Sequence, residues 1–429
     1  MLMRLFVCLL ILLSGLGVSA AELRPQREKI ENVLSGRVKE ARASWWGYDA
    51  EDTTKILQAA LDSKVPKLII DAMPTPWITE QIYVHSDQEI LFEKGSVLQA
   101  KRGSFRGRND CLVNIVARKN VSISGEGAVI RMWGDDYRSE DYSKAEWRHA
   151  ITILSSENVK ISDLTITDTG GDAIYIDEKG RLGPCKNIHI TGVICDGNHR
   201  NGISVISVEK LLIEKTIMKN TRGTDPECGI DFEPDGPEQS LIDCVVRDCI
   251  TENNVGNGYS IYLVEMDHTA KPVSIRFENC ISRGDGRLAF LLQSGKGKEK
   301  AVTGKIDVIG GLFEKSQGVA IHVQGKPLDG IELHFDGLHV KECGSGDNSF
   351  PIQIVSQSDA ENPAGKIRFD NVTVMDSKDR LVLDFKDRSS AQQGGRDISG
   401  TVELVRDGKT VPAVIDDSWL KQHFPKRNR

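Results

Sequence analysis

In the stretch GIDFEPDGPEQ, residues 229–239, Asp231, Glu233 and Asp235 recur at every second position, with Ile230, Phe232 and Pro234 between them. An extended chain turns alternate side chains to opposite faces, so this spacing gathers carboxylates on one face and apolar groups on the other. The Cα atoms of Asp231 and Glu233 would lie ~6.6 Å apart. Two acids so placed can divide a hydrolytic reaction between them. Crowding keeps one protonated as the proton donor, while the other activates water or attacks. In glycoside hydrolysis a carboxyl separation of about 5 Å accompanies retention and about 6.5–9.5 Å accompanies inversion. The plainer reading is that any exposed face of a β protein is polar, so the value of the stretch depends on what surrounds it.

The surrounding chain repeats. HAITIL at 149, DAIYID at 172, NGISVIS at 201, CGIDFEP at 228, NGYSIYL at 257, RLAFLLQ at 287, GVAIHV at 318, FPIQIV at 350 and RLVLDF at 380 are alike. A second family of β-branched runs, among them NVKISDLTITD, NIHITGVICDG and VSIRFENCISRG, falls between them. Self-similarity at this period, with two or three short strands per unit, marks a solenoid whose units bury their apolar faces only by stacking. Leucine-rich repeats are disfavoured because the repeats use Ile and Val without an LxxLxLxxN frame. A β-propeller would need four strands per blade. Asp168, Asn198, Asn220 and Asn254 follow second-family runs, where Asn and Asp can tolerate left-handed backbone and bond neighbouring turns. The expected fold is therefore all-β, a right-handed parallel β-helix solenoid. The segment 49–63 reads as a helix that caps its open N-terminal end, and 416–424 as a short helix at the other end.

Stacking the first-family strands gives two outward columns. Tyr175, Ser204, Asp231, Ser260 and Phe290 form one; Asp177, Ile206, Glu233, Tyr262 and Leu292 form the other. Exposed Ile206, Phe290 and Leu292 suggest a covered or ligand-facing strip. The preceding turns add His199, Arg200, Asp225 and Glu227. Acids and aromatics converging on successive coils suit a carbohydrate groove, with Asp231, Glu233 and Asp177 as catalytic acids. Tyr175, His199, Arg200, Asp225, Glu227 and Tyr262 would line the sugar. Asp177 would stand ~9.6 Å along the stack from Glu233. Hydrolysis needs no cofactor. Elimination or epimerisation of a uronate is the alternative. It would use His199, Tyr175 or Tyr262 as base, with Arg200, Arg222 or a calcium ion held by Asp225, Glu227 and Asp231 to neutralise the substrate. From another class, the chain could be a non-catalytic glycan-binding or cell-envelope solenoid.

Residues 1–20 have the form of a secretory signal: Arg4, an apolar run and small residues before Ala21. Its removal moves the formal charge from -7 to about -8, an acidic balance that argues against nucleic acid as a partner. The expectation is a secreted or periplasmic protein, a monomer, with no membrane span in the mature chain. The basic stretches 101–108 and 296–300 read as solvated loops. Cys249 and Cys280 occupy equivalent places in successive units and read as a packing column. Residues 21–47 form a lead-in, 48–390 the β-helix with its cap, and 391–429 a C-terminal tail and cap.

The repeats, the run DAIYID…NGISVIS…GIDFEPD and the helix ahead of them resemble the pectin-lyase-like superfamily of right-handed β-helices, over about residues 48–390. That superfamily includes polygalacturonases, pectate and alginate lyases and mannuronan C5-epimerases, so the resemblance implies a polysaccharide substrate. Its motifs carry over sparsely. The polygalacturonase Asp-Asp pair is represented by Asp172 alone, its Gly-His-Gly by His199, and its Arg-x-Lys is absent. The epimerase Asp-Pro-His-Glu is matched by Asp225-Pro226-Glu227 without the histidine.

Overall fold

A computed structural model describes residues 22–295, 300–346, 349–357, 362–388 and 394–425. The chain winds as a right-handed parallel solenoid of about eleven coils. The first-family runs form one all-parallel sheet of 11 strands, from Ile82–Tyr83 to Leu383–Lys386. The second-family runs form the other walls, and a single antiparallel pair, Gly400 to Ile415, closes the C-terminal end. Expected signal residues 1–20 and residues 296–299 of the basic loop lie outside the described residues.

The helix expected at 49–63 forms as Thr54–Asp62, started by Asp52, whose Oδ1 accepts from the Thr54 backbone N at 2.9 Å. Leu57, Ala60 and Leu61 turn inward and cover the first coil. At the far end Asp416 caps the helix Asp417–His423 by accepting from Trp419 N at 2.7 Å. Parallel pairing reaches further than expected in both directions. Glu40–Arg42 already pairs with Lys67–Ile70, and Gly395–Arg406 continues the stack beyond 390. All eight described cysteines are free and buried, and Cys249 and Cys280 sit on successive coils as packing residues.

Register settles which side chains face outward. Inside the 11-stranded sheet, Ile174, Ile203, Ile230, Tyr259 and Phe290 stack in one core column, and Ile176, Val205, Phe232, Ile261 and Leu292 in the next. Phe290 and Leu292, expected outside, are therefore core residues with no exposed surface. The coil from Tyr259 to Phe290 is one residue longer than a simple alignment of the runs assumes, and in a strand one residue reverses every side chain. Leu291 and Gln293 take the outward places, against Ser260 and Tyr262. Phe290 instead joins an aromatic stack with Phe277 and Phe335, ring centroids 5.8 and 5.5 Å away. Of the three residues expected to form an outward apolar strip, Ile206 alone lies outside the core columns, and it is buried.

The corner ladder is more selective than four equivalent residues. Asp168 and Asn220 adopt left-handed backbone at φ 55° and 57°, whereas Gly197 does so in place of Asn198 and Asn253 in place of Asn254. Asn254 follows it into the interior. There its Oδ1 accepts from Thr221 N at 3.0 Å, and its Nδ2 donates to Met218 O at 3.1 Å and Asp285 Oδ1 at 2.8 Å. One side chain thus ties three coils. Truncating it leaves a buried N–H and a buried carbonyl unpaired, each costing about 1–3 kcal/mol. Asn254→Ala should lower the unfolding free energy by about 2–4 kcal/mol, read as a shift in the denaturant midpoint with an unchanged slope.

Candidate active site

Three outward columns meet on the 11-stranded sheet. The first contains Tyr175, Ser204, Asp231 and Ser260, as the strand alternation requires. The second continues each strand by two residues to Asp177, Ile206, Glu233 and Tyr262. The third stands three residues before the first and went unrecognised in the sequence: Cys111, His149, Asp172, Asn201 and Cys228. In it each polar side chain accepts a backbone N–H from the following coil. His149 Nδ1 accepts from Asp172 N at 3.0 Å, Asp172 Oδ1 from Asn201 N at 2.9 Å, and Asn201 Oδ1 from Cys228 N at 2.9 Å. The repeat placed these residues at equivalent positions, so counting back from the strands would have found them.

Arg200 unites the columns. It leaves the turn before the strand Asn201–Val205 and lies across that strand, Nη1 3.4 Å from Ser204 Oγ and Nη2 2.6 Å from Glu233 Oε2. Its Nη1 is 3.9 Å from Asp172 Oδ2. Asp231 was expected to be an accessible acid. It faces outward but is only 1% exposed, and Asp172 is wholly buried. Three atoms of this group, Asp172 Oδ2, Arg200 Nε and Asp231 Oδ1, have no hydrogen-bond partner among the described residues. One guanidinium facing three carboxyls in a desolvated place cannot balance three charges. Burial accordingly raises Asp172 to about 6, against the pull of Arg200. Burial and then the nearby Glu233 charge hold Asp231 well above the carboxylate range.

Asp177 is more open. Its Oδ2 accepts from Tyr175 Oη at 2.9 Å, and its Oδ1 from Glu178 N at 2.7 Å and Gln239 Nε2 at 3.3 Å. Burial still outweighs these donors and raises it to about 6. The Tyr175 ring stacks on His149 with centroids 4.5 Å apart. Burial pushes His149 down to about 3 and Nδ1 already accepts an N–H, so its 3.3 Å approach to Asp172 Oδ2 is not an ion pair. The third acid of the opening stretch, Asp235, lies beyond the strand end at Phe232, exposed in the following loop.

The other expected residues separate from this group. His199 faces away, Nδ1 accepting from Arg138 Nε at 3.0 Å and Nε2 meeting Thr224 Oγ1 at 2.8 Å. Burial and Arg138 lower it to about 4. The proposed calcium set is divided: Asp225 and Glu227 both approach Arg287, at 2.5 and 3.8 Å, while Asp231 belongs with Arg200. Among the described residues no group of three or more His, Cys, Asp or Glu side chains could hold a metal ion. Tyr262 keeps its outward place beside Gln293.

An open groove of about 660 Å³ runs along the first coils of the sheet, lined by Asn114, Trp147, His149, Thr152, Tyr175 and Asp177. A second cavity of about 590 Å³ lies under the loop that carries Trp147, with His199, Arg138 and Tyr142 in its walls. In the basic stretch 101–108, read as a solvated loop, Lys101 and Arg102 pair with Asp52 and Asp136.

The fold is a right-handed parallel β-helix. Residues 128–326 match the family described as right handed beta helix region. Over 239 residues the chain is 27% identical to the SPbeta prophage-derived uncharacterized protein YorA of Bacillus subtilis strain 168, covering 51% of this chain and 39% of that one. A second protein of that strain, YclG, is 26% identical over 212 residues, 45% of this chain and 36% of that one, so the chain spans well under half of either relative. Among solved structures, the tailspike protein of E. coli bacteriophage HK620, in complex with a pentasaccharide, aligns with a TM-score of 0.61 at 13% identity, over 88% of this chain and 66% of that one. The A-module of the Azotobacter vinelandii mannuronan C-5 epimerase AlgE6 gives 0.59 at 12%, over 85% and 93%. The endo-xylogalacturonan hydrolase of Aspergillus tubingensis gives 0.55 at 11%, over 84% and 94%. At these identities the likeness is one of fold.

The titrating groups oppose one another. Asp172, Asp177 and Asp231 hold protons more tightly when folded than unfolded, so their contribution is full below about pH 4 and is lost as pH rises through 6. His149 and His199 are held neutral, so the unfolded chain gains protons below about 6.5 and the fold weakens as pH falls toward 4. Asp231→Asn removes one member of the first set. Relative to wild type, it should gain at least about 1 kcal/mol between pH 5 and pH 8 in denaturant titrations, since one pKa unit corresponds to ~1.4 kcal/mol.

Proposed function

We propose that the chain is a secreted carbohydrate-active enzyme, a glycoside hydrolase that cleaves a polysaccharide with Asp177 as proton donor and Glu233 as the carboxylate that activates water. The observation that carries this reading is their shared column. Both project outward at the end of their strands, two coils apart across Ile206, and Asp177 lines an open groove. Coil spacing puts their Cα atoms ~9.6 Å apart along the stack, near the upper end of the inverting range. Burial raises Asp177 to about 6, so it keeps its proton in mildly acidic solution, where an ordinary carboxyl is ionised. Asp231 and Asp172 lie under Arg200, and their part is to hold that guanidinium against Glu233. Neighbours of the same fold include a hydrolase and a pentasaccharide-binding tailspike, and this supports a glycan as substrate.

The elimination alternative has less support. His199 is turned into another cavity, and Tyr175 is raised by burial and by Asp177, which opposes its use as a base. The signal-like sequence of residues 1–20 supports a reaction outside the cytoplasm. No helix of the described residues is long and apolar enough to cross a membrane.

A panel of polysaccharides tests the reading. Incubation with a substrate should release reducing ends without near-ultraviolet absorbance. Asp177→Asn and Glu233→Gln should each lower kcat by about 10²–10⁴-fold while unfolding as wild type does. Folded variants that both keep full activity would defeat the assignment.

A further inference from the structure

The carboxylate groove and the second cavity meet at one side chain. Trp147 lines both, together with Arg108. It sits on the loop that leaves the stack after Arg131 and returns at Ile151. That loop is anchored from within. Arg148, the next residue, is fully buried, and its Nε donates to Phe105 O at 2.7 Å and its Nη2 to Ser143 O at 2.6 Å. Its guanidinium also lies over the rings of Tyr137 and Tyr142, at 5.4 and 5.8 Å. The approach is close. A side chain at Gly171 would meet Glu146 O at 2.7 Å and Arg148 N at 2.9 Å, so this loop packs directly on the coil that carries Asp172. Farther along, Arg138 donates to His199 Nδ1 and, at 2.9 Å, to Arg222 O, fastening the loop across later coils.

Trp147 is a partly exposed ring standing between two cavities on this anchored loop, with the exposed Arg108 guanidinium 5.1 Å from its centroid. Arg108 makes no ion pair among the described residues, so nothing but the ring holds it there. An amphipathic aromatic face held in place at little entropic cost is a platform for a flat ligand with apolar faces and polar edges. Both cavities fall within the usual size of small-ligand sites, about 300–1,000 Å³.

We propose that the two cavities are one binding cleft for a linear oligosaccharide. Trp147 stacks against a pyranose ring where the chain passes from the carboxylate groove into the cavity walled by Tyr142, Arg138 and His199. The inference rests on the hydrolase reading for the kind of ligand, and it adds a site outside the carboxylate group. It gives His199 a place in the wall of that site. It also makes the protein a reader of chain length, because a disaccharide in the groove cannot reach past the ring.

Binding measured apart from turnover tests it. Dimers, tetramers and hexamers of galacturonate, xylose and glucose would be titrated into the full chain carrying Asp177→Asn, followed by calorimetry. In at least one series the dissociation constant should fall about tenfold or more from dimer to hexamer. Adding Trp147→Ala should remove that dependence, so that hexamer and dimer bind alike. Trp147→Phe, which keeps a ring, should restore most of it and guards against a folding defect. Length dependence that survives Trp147→Ala, or the absence of binding in every series, would overturn the proposal. Failure of the catalytic reading would look different: the Asp177 wild type would bind hexamers in a Trp147-dependent way and leave them uncut.

Discussion

The parallel registration of each coil on the next is the constraint from which the rest of this molecule follows. A coil's strands cannot satisfy their backbone groups or cover their apolar faces alone, and only the coil above and below supplies both. Residues far apart in sequence then become fixed neighbours, at the spacing of adjacent strands. Asp172, Arg200, Asp231 and Glu233 are one group because three successive coils are in register. Side chains reinforce that register wherever they accept a backbone N–H from an adjacent coil: His149, Asp172 and Asn201 from the next coil on one side, and Asn254 from the preceding coil at a corner.

The same ladder sets the electrostatics. Asp172 spends one carboxylate oxygen on a backbone N–H and leaves the other facing Arg200 and the desolvated interior of the cluster. A carboxyl placed for structural reasons becomes one that resists ionisation, and Arg200 cannot satisfy it and Glu233 equally. Its 2.6 Å contact with Glu233 against 3.9 Å to Asp172 shows which acid it serves. Chemistry is therefore divided by depth. Asp172 and Asp231 are buried beneath the guanidinium, while Asp177 and Glu233 remain at the surface of the sheet.

Much of this was legible in the sequence because the fold is periodic. Alternation in CGIDF gave the outward direction of Asp231, and the repeat gave Tyr175, Ser204 and Ser260 as its column. The reading broke where periodicity fell silent. Residues 288–292 are apolar at every position, so nothing in them reports the pleat, and a coil one residue longer reversed Phe290 and Leu292. Burial of Asp231 was not legible, since it arises from an arginine laid across the strand and not from the strand itself. His199 was assigned to the acids by its place in a turn. Its actual partner, Arg138, comes from a loop that no repeat predicts. Trp147 and Arg148 were overlooked for the same reason: they stand between runs, where pattern carries no information about direction.

The proposed mechanism makes Asp177 and Glu233, two coils apart, the working carboxyls, in place of a neighbouring pair on one strand. Their separation has a chemical signature in the anomer released at the moment of cleavage. Proton NMR of the first product, recorded before mutarotation, should show inverted configuration at the cleaved carbon. Retention of configuration would require carboxyls about 5 Å apart and would contradict the two-coil arrangement.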